Sequence, residues 1–139
     1  MYLVDTNVWL ELLLDQERAE EVRSFLKTIE ASLLAITEFS LYSIAVILTQ
    51  LKKDDLLRNF LADTLLDSGV MRICLQVEDF SDIIEIRQHF SLDFDDAYQY
   101  VASQKYNFCL VSFDSDFDHT ARGRKTPAEI LADKNQPSS

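Results

Sequence analysis

The stretch "YLVDTNVWLELLL" (residues 2–14) joins a short apolar run to an amphipathic one, with a single aspartate at the junction. The run "YLVD" (2–5) has the length and composition of a buried strand that ends in a carboxylate. The residues after it predict a helix, which Thr6 or Asn7 is able to cap. This stretch therefore predicts that Asp5 lies at the carboxyl end of a strand, directly before a helix.

The remainder of the chain repeats this alternation of short apolar runs and helical periodicity. Further strands are predicted at "VMRICL" (70–75) and "FCLVSFD" (108–114). Thr37 is a candidate N-cap and Gly69 a candidate helix stop. Strands separated by helices indicate a parallel sheet covered on both faces, which is a three-layer α/β/α fold. Helical patterns extend over about 17–30, 37–52, 54–67, 78–90 and 93–106.

Length and composition favour one globular domain. With 139 residues, of which 47% are hydrophobic, we expect a single domain over 1–139, ordered to about residue 133, with a frayed tail at 134–139. No apolar run approaches the roughly 18 residues of a membrane span, and the N-terminus lacks the basic region of a signal peptide. We therefore expect a cytoplasmic protein without a membrane partner. Cys74 and Cys109 lie in apolar runs and are predicted to be buried, reduced thiols.

The charge of the chain bears directly on its partners. The formal net charge of −11 counts against nucleic-acid binding, because phosphate contacts come mainly from Lys and Arg. Two features weaken that objection. Acidic groups gathered in a metal site are neutralised by the cation, and basic residues cluster in "ARGRK" (121–125), a segment that either contacts phosphates or forms a solvated loop.

The aspartate-rich stretch "SFDSDFD" (112–118) allows three interpretations: a calcium loop, an aspartyl-phosphate site, or one corner of a larger metal site. An EF-hand needs Gly at loop position six and Glu at position twelve, where this chain has His119 and Lys125. A phosphatase of the haloacid dehalogenase type carries its D-x-D near the N-terminus, with catalytic groups well downstream. Only 21 residues follow Asp118 here, so the third interpretation remains.

Carboxylates from separate segments are predicted to converge at one edge of the sheet. Asp5 and Asp114 each follow a predicted strand, and Glu38 lies on the apolar side of a predicted helix. One of Asp95 and Asp96 joins them from the start of another helix, and the helical wheel favours Asp95. Clustered carboxylates either take up protons or hold cations, and an all-oxygen site suits Mg²⁺ or Mn²⁺. Such ions support phosphodiester hydrolysis.

Four segments of the chain occur in a familiar order: "LVDTNVWLELL", "ITEFSLYSI", "DFDDAYQYVAS" and "LVSFDSDF". In this order they resemble a PIN domain, closest to the VapC-like toxin ribonucleases. The similarity covers nearly the whole chain. It implies a PIN-like three-layer α/β/α fold with a parallel sheet and many helices, in agreement with the fold expected from the strand and helix pattern.

The resemblance also implies roles for individual residues. Asp96 rather than Asp95 matches the third acid, because it directly precedes Ala97; Asp95 is supporting. Asn7 is expected to orient Asp5, and Ser112 to supply a polar contact. Weaker candidates for RNA contact are Arg122, Arg124 and Lys125. The implied catalytic acids, which also bind the metal, are Asp5, Glu38, Asp96 and Asp114, with Asp116 as an auxiliary ligand.

The function implied by the resemblance is that of a Mg²⁺- or Mn²⁺-dependent endoribonuclease, the toxin component of a type II toxin–antitoxin system. It would hydrolyse RNA with a metal-activated water, form a homodimer, and be silenced by a cognate antitoxin in its acidic groove. Two alternatives stay open. One is a housekeeping PIN nuclease, and the other is a catalytically silent PIN-like module that binds a basic partner.

Overall fold

A parallel sheet of four strands lies at the centre of residues 1–135, the part of the chain that this computed structural model describes. The strands are β1 (Tyr2–Val4), β2 (Leu34–Thr37), β3 (Met71–Ile73) and β4 (Cys109–Val111). Their order across the sheet is β3-β2-β1-β4, and each neighbouring pair is parallel. Of the predicted frayed tail at 134–139, residues 136–139 lie outside the described part.

Helices connect the strands, and all but the last were predicted from the sequence. One π-helical turn, Leu61–Leu66, continues the fourth of them. The helix at Pro127–Lys134 was missed, although its Thr126 N-cap forms a capping box with Glu129. The helices are α1 (Thr6–Leu13), α2 (Ala19–Thr28), α3 (Glu38–Gln50), α4 (Asp54–Phe60), α5 (Phe80–Phe90), α6 (Phe94–Tyr106) and α7 (Pro127–Lys134).

Strand β2 was also missed by sequence reasoning, and it matters because it leads into α3. Its four residues "LAIT" are all buried and join the helix without a turn residue between them. The predicted N-cap is confirmed, since the hydroxyl of Thr37 accepts a hydrogen bond from the backbone N–H of Ser40. The cap predicted for α1 was wrong. Asp5 itself caps α1, because the chain leaves β1 extended at Asp5 and its carboxylate accepts from the N–H of Thr6.

The sheet has an apolar core on each face, because side chains alternate along every strand. Val4, Ile36 and Val111 face the core formed with α1 to α4 and α7. The strand residues whose side chains point to the opposite face of the sheet pack beneath α5 and α6; they are Leu3, Ala35, Ile73 and Leu110. The predicted three-layer α/β/α fold is therefore confirmed. Trp9 lies in the first core and is almost fully buried.

The strand order creates one topological switch point, between β1 and β4. The chain runs outward from β1 through β2 to β3, then returns to place β4 on the other side of β1. The outward helices pack on one face of the sheet and α5 and α6 on the other, which is the arrangement that right-handed crossovers produce. Ligands of open parallel sheets bind beyond the carboxyl ends of the strands at such a point. No helix within residues 1–135 is long and apolar enough to cross a membrane.

Candidate metal centre

Asp5 lies at the switch point and is only 4% exposed. One carboxylate oxygen, Oδ1, accepts from the backbone N–H of Thr6 at 2.8 Å and from Nε2 of Gln99 at 2.9 Å. The other, Oδ2, accepts from the hydroxyl of Ser112 at 2.8 Å and, more weakly, from Nδ2 of Asn7 at 3.4 Å. Donors from three different elements thus fix the position of this carboxylate.

Asn7 and Ser112 also connect the ends of β1 and β4. Nδ2 of Asn7 lies 3.2 Å from Oγ of Ser112, and its Oδ1 accepts from the backbone N–H of Phe113 at 3.2 Å. The Ser112 hydroxyl in turn accepts from the N–H of Asp114 at 3.0 Å. The predicted orienting residue and the predicted polar contact therefore both touch Asp5, and they also set the path of the chain that carries Asp114.

Three aspartates lie together beside Asp5. Asp96, from the first turn of α6, meets Asp114 and Asp116 from the turn after β4, with oxygens from the three carboxylates all within 4.8 Å of one another. We call Asp96, Asp114 and Asp116 the aspartate cluster. Its ligand atoms are all carboxylate oxygens, the set that Mg²⁺ and Mn²⁺ prefer. The donor chemistry of the cluster therefore fits the expected cation.

The pKa of Asp96 shows the electrostatic cost of this arrangement. The pKa is raised to about 8, first by burial and then by a hydrogen bond with Asp114 and by the charges of Asp114, Asp5 and Asp116. Burial also raises the pKa of Asp5, against the lowering effect of its hydrogen bonds from Ser112, Gln99 and Thr6. Without a cation the cluster consequently holds a proton near neutral pH, and a cation would displace it.

Glu38, the acid expected from α3, is not part of the cluster. Its carboxylate faces β3 and lies 3.6 Å from Nε of Arg72, with the side chain 35% exposed. The sequence placed Glu38 on the apolar side of a predicted helix, yet Tyr42, one turn further along α3, is 62% exposed. Glu38 is the first residue after β2, and its contact with Arg72 places its carboxylate on the side of the edge strand β3. Helix α3 lines the cleft with Phe39, Tyr42, Ser43, Val46 and Ile47, none of which carries a carboxylate.

A cleft of about 640 Å³ opens over Asp5 and Asp96. Asp95 lines it too, so that both aspartates considered from the sequence face this space, but only Asp96 joins the cluster. The opposite wall is apolar and comes from α1 and α3: Leu10, Phe39, Tyr42, Val46 and Ile47. An acidic end and an apolar wall therefore share one cleft.

Gln99 is the contact to Asp5 that sequence reasoning missed. It is 1% exposed and lies one turn after Asp96 on α6. Residues 97–103 of that helix are all buried, so no periodic pattern separates a core position from a site position there. The available signal was a long polar side chain between two tyrosines in a buried helix.

The basic segment "ARGRK" is engaged within the protein. Arg122 donates to the carbonyl oxygens of Ser103 and Phe108, each at 3.2 Å. Arg124 pairs with Asp118 and donates to the carbonyl of Ser112 at 3.1 Å, and Lys125 pairs with Asp133. Binding of RNA phosphates by these side chains, which stays a prediction, would require them to exchange these partners.

The fold and the site together define a class of three-layer α/β protein with carboxylates gathered at the switch point of a parallel sheet. A family model for the PIN domain matches residues 2–123. The chain therefore belongs to the PIN domain family. No curated protein sequence matches it.

Solved structures share this fold. A chain of a toxin–antitoxin complex from Klebsiella pneumoniae is 21% identical, with a TM-score of 0.72 over 94% of this chain and 100% of that one. FitAcB from Neisseria gonorrhoeae is 18% identical, with a TM-score of 0.73 over 92% and 99%. VapC20 from Mycobacterium tuberculosis, described as a sarcin-ricin loop cleaving toxin, is 16% identical, with a TM-score of 0.74 over 88% and 96%. At these identities the similarity establishes the fold.

Proposed function

We propose that this protein is a Mg²⁺- or Mn²⁺-dependent endoribonuclease and the toxin component of a type II toxin–antitoxin system. The observation that carries the proposal is the aspartate cluster beside Asp5 at the switch point of a PIN fold. Similar structures include a toxin–antitoxin complex and a loop-cleaving toxin, which favours this role over other uses of the fold.

The residues divide into those that hold the cation and those that hold its ligands. In this proposal the aspartate cluster and Asp5 bind the ion, while Ser112 and Asn7 fix the Asp5 carboxylate through their hydrogen bonds. When bound, a divalent cation lowers the pKa of a water and offsets the charge that develops at phosphorus. Because its pKa is raised to about 8, Asp96 would have to lose its proton in order to serve as a ligand. Glu38 is left out of the catalytic set, because its carboxylate pairs with Arg72.

The cleft also fits the proposed antitoxin. Its aspartates would attract an Arg or Lys side chain, and its apolar wall, which includes the exposed Tyr42 and Val46, would cover neighbouring apolar side chains of the same segment. An antitoxin bound there would exclude RNA and cation together. A homodimer is part of the proposal, and the partly exposed rings of Phe80 and Phe94, 5.9 Å apart, offer it an apolar surface.

The test is RNA cleavage by the wild-type chain with Mn²⁺, Mg²⁺ or EDTA, beside Asp5→Asn and Asp96→Asn. We expect metal-dependent cleavage that both variants lose by at least about a hundredfold, as for removal of an electrostatic catalytic group. Asp55→Asn is the matched control, because Asp55 is an exposed aspartate of α4 paired with Arg58. Cleavage that persists in EDTA, or in both site variants, would refute the proposal.

One observation favours a second candidate, the catalytically silent module that binds a basic partner. Helix α3 contributes Ser43 to the cleft rather than a carboxylate, and Glu38 is directed to Arg72. A module of this kind would bind a basic peptide but cleave no RNA in any divalent ion. A housekeeping nuclease would cleave RNA yet leave growth unaffected when expressed without an antitoxin, whereas a toxin would arrest growth.

A further inference from the structure

A chain of buried side-chain hydrogen bonds leads from α1 and α3 to the carboxylate of Asp5. The hydroxyl of Thr6 lies 2.7 Å from that of Ser40, which also contacts the hydroxyl of Thr37 at 3.1 Å. The Thr37 hydroxyl lies 3.0 Å from Oε1 of Gln99, and Nε2 of Gln99 donates to Asp5. All of these groups except Thr6 are buried, so each depends on the others for its hydrogen bonds.

The partners of Gln99 fix the orientation of its amide. An ionised carboxylate only accepts hydrogen bonds, so the amide nitrogen faces Asp5 and the amide oxygen faces Thr37. The Thr37 hydroxyl must then donate to Gln99, while it accepts from the backbone N–H of Ser40 as the cap of α3. The amide is thus held between an acceptor, the Asp5 carboxylate, and a donor, the hydroxyl of the α3 cap Thr37.

The position of Gln99 links the two halves of the proposed site. It lies on α6 one turn after Asp96, and it reaches across to Asp5 at the end of β1 and to Thr37 at the end of β2. An apolar side chain of similar length would occupy this place without needing any partner. The hydrogen bonds to Asp5, Thr37 and Ser40 are therefore what distinguish glutamine from such a residue here.

We infer that Gln99 is a positioning residue of the metal centre: it fixes the rotamer of Asp5 and ties the helix that carries Asp96 to β1. Thr37 acts through it by holding the amide in the required orientation. The inference rests on the proposed metal-dependent function and extends it to residues that do not touch the ion. Thr37 and Gln99 orient the Asp5 carboxylate, whereas Asp5 and the aspartate cluster supply the oxygens that would bind the ion.

The experiment measures Mn²⁺ binding to the full chain without RNA, by electron paramagnetic resonance and calorimetry. We compare wild type with Gln99→Met, which keeps the length of the side chain and removes its hydrogen bonds. Loss of a group that orients a metal ligand costs about ten- to a hundredfold in affinity, and we expect a loss of that size. The same change at Gln104, an exposed glutamine of α6, is the matched control and should leave affinity unchanged. With RNA, kcat should fall while KM is kept.

Unchanged Mn²⁺ affinity in Gln99→Met, with wild type binding normally, would overturn this inference and leave the proposed function standing. Absence of Mn²⁺ binding by wild type would overturn both. If Gln99→Met fails to fold by circular dichroism, Thr37→Val and Thr37→Ser decide, because Val lacks the hydroxyl that orients Gln99 and Ser retains it. Weaker Mn²⁺ binding in Thr37→Val, restored in Thr37→Ser, supports the role, and equal affinities in the two refute it.

Discussion

Replacing Asp96 with Asn should make the metal-free protein more stable, by an amount that grows with pH. The folded-state pKa of Asp96 is about 8, against an ordinary value of 3.8. Between these values the folded state holds a proton that the unfolded state has lost, so the folding free energy contributed by Asp96 weakens as pH rises through that window. Asn resembles the protonated acid, including its ability to donate to Asp114, and does not titrate.

The size of the effect follows from the shift. The difference between the folded and unfolded pKa values of Asp96, at about 1.4 kcal/mol per pKa unit, corresponds to about 6 kcal/mol of folding free energy for a fully buried group. Asp96 is half-buried, and solvent screening reduces the expected gain for Asn to on the order of 1–2 kcal/mol at pH 8. The difference should be near zero at about pH 4, below which both states of the wild type are protonated.

The assay is urea unfolding of wild type and Asp96→Asn in EDTA at several values between pH 4 and 9. Asp55→Asn, at an exposed position of α4, is the control for replacing an aspartate outside the cluster. Mn²⁺ at a hundredfold excess over Kd should then stabilise wild type by about 2.7 kcal/mol and leave Asp96→Asn nearly unaffected. A stability difference between Asp96→Asn and wild type that is independent of pH would refute the reasoning about charge in the cluster.

Three further predictions concern the ion and its ligands. Mn²⁺ affinity of the wild type should rise between pH 6 and 8 and then level off, because Asp96 must lose its proton to bind the ion. Calorimetry in buffers of different ionisation enthalpy should detect the released proton. A Mn²⁺ affinity that does not change with pH would contradict this prediction. Ser112→Ala should lower the free energy of unfolding in urea by about 1–3 kcal/mol and weaken Mn²⁺ binding, because the buried Asp5 carboxylate loses its 2.8 Å donor. Ser115→Ala, at an exposed position, is the control. Glu38→Gln should leave Mn²⁺ affinity within about twofold, because its carboxylate faces Arg72 rather than the cluster, and a tenfold loss would return Glu38 to the site.

The sequence was sufficient for the fold class and for the placement of several candidate site residues, because both depend on local patterns. A strand that ends in a carboxylate and enters a helix places Asp5 at the carboxyl edge of the sheet, whatever the other strands do. Asp114 follows β4 in the same way. The choice of Asp96 over Asp95 came from the family resemblance rather than from periodicity, and it is Asp96 that the structure brings into the cluster.

What sequence reasoning missed depends on which strands are neighbours. Helical periodicity assigned Glu38 to one face of α3, but it does not say which strand lies opposite that face. In the structure Glu38 lies beside β3, the edge strand next to β2, where it contacts Arg72. Strand β2 itself was hidden because its four buried residues run straight into α3. Gln99 was hidden because its helix is buried on every side, so its role depends on β1 and β2 being adjacent to each other.

The direction of the helices explains how distant segments deliver charge to one place. Each helix that returns the chain to a parallel strand runs antiparallel to the sheet, so the N-termini of α1, α3 and α6 lie at the carboxyl edge. Helix N-termini favour negative charge, by about 0.3–1 kcal/mol each at exposed positions. For Asp96 that help is smaller than the cost of burial beside Asp114 and Asp5, since its pKa is raised rather than lowered. The fold therefore collects more negative charge than its helices stabilise, and the balance has to come from a proton, a divalent cation or the cationic side chain of a partner.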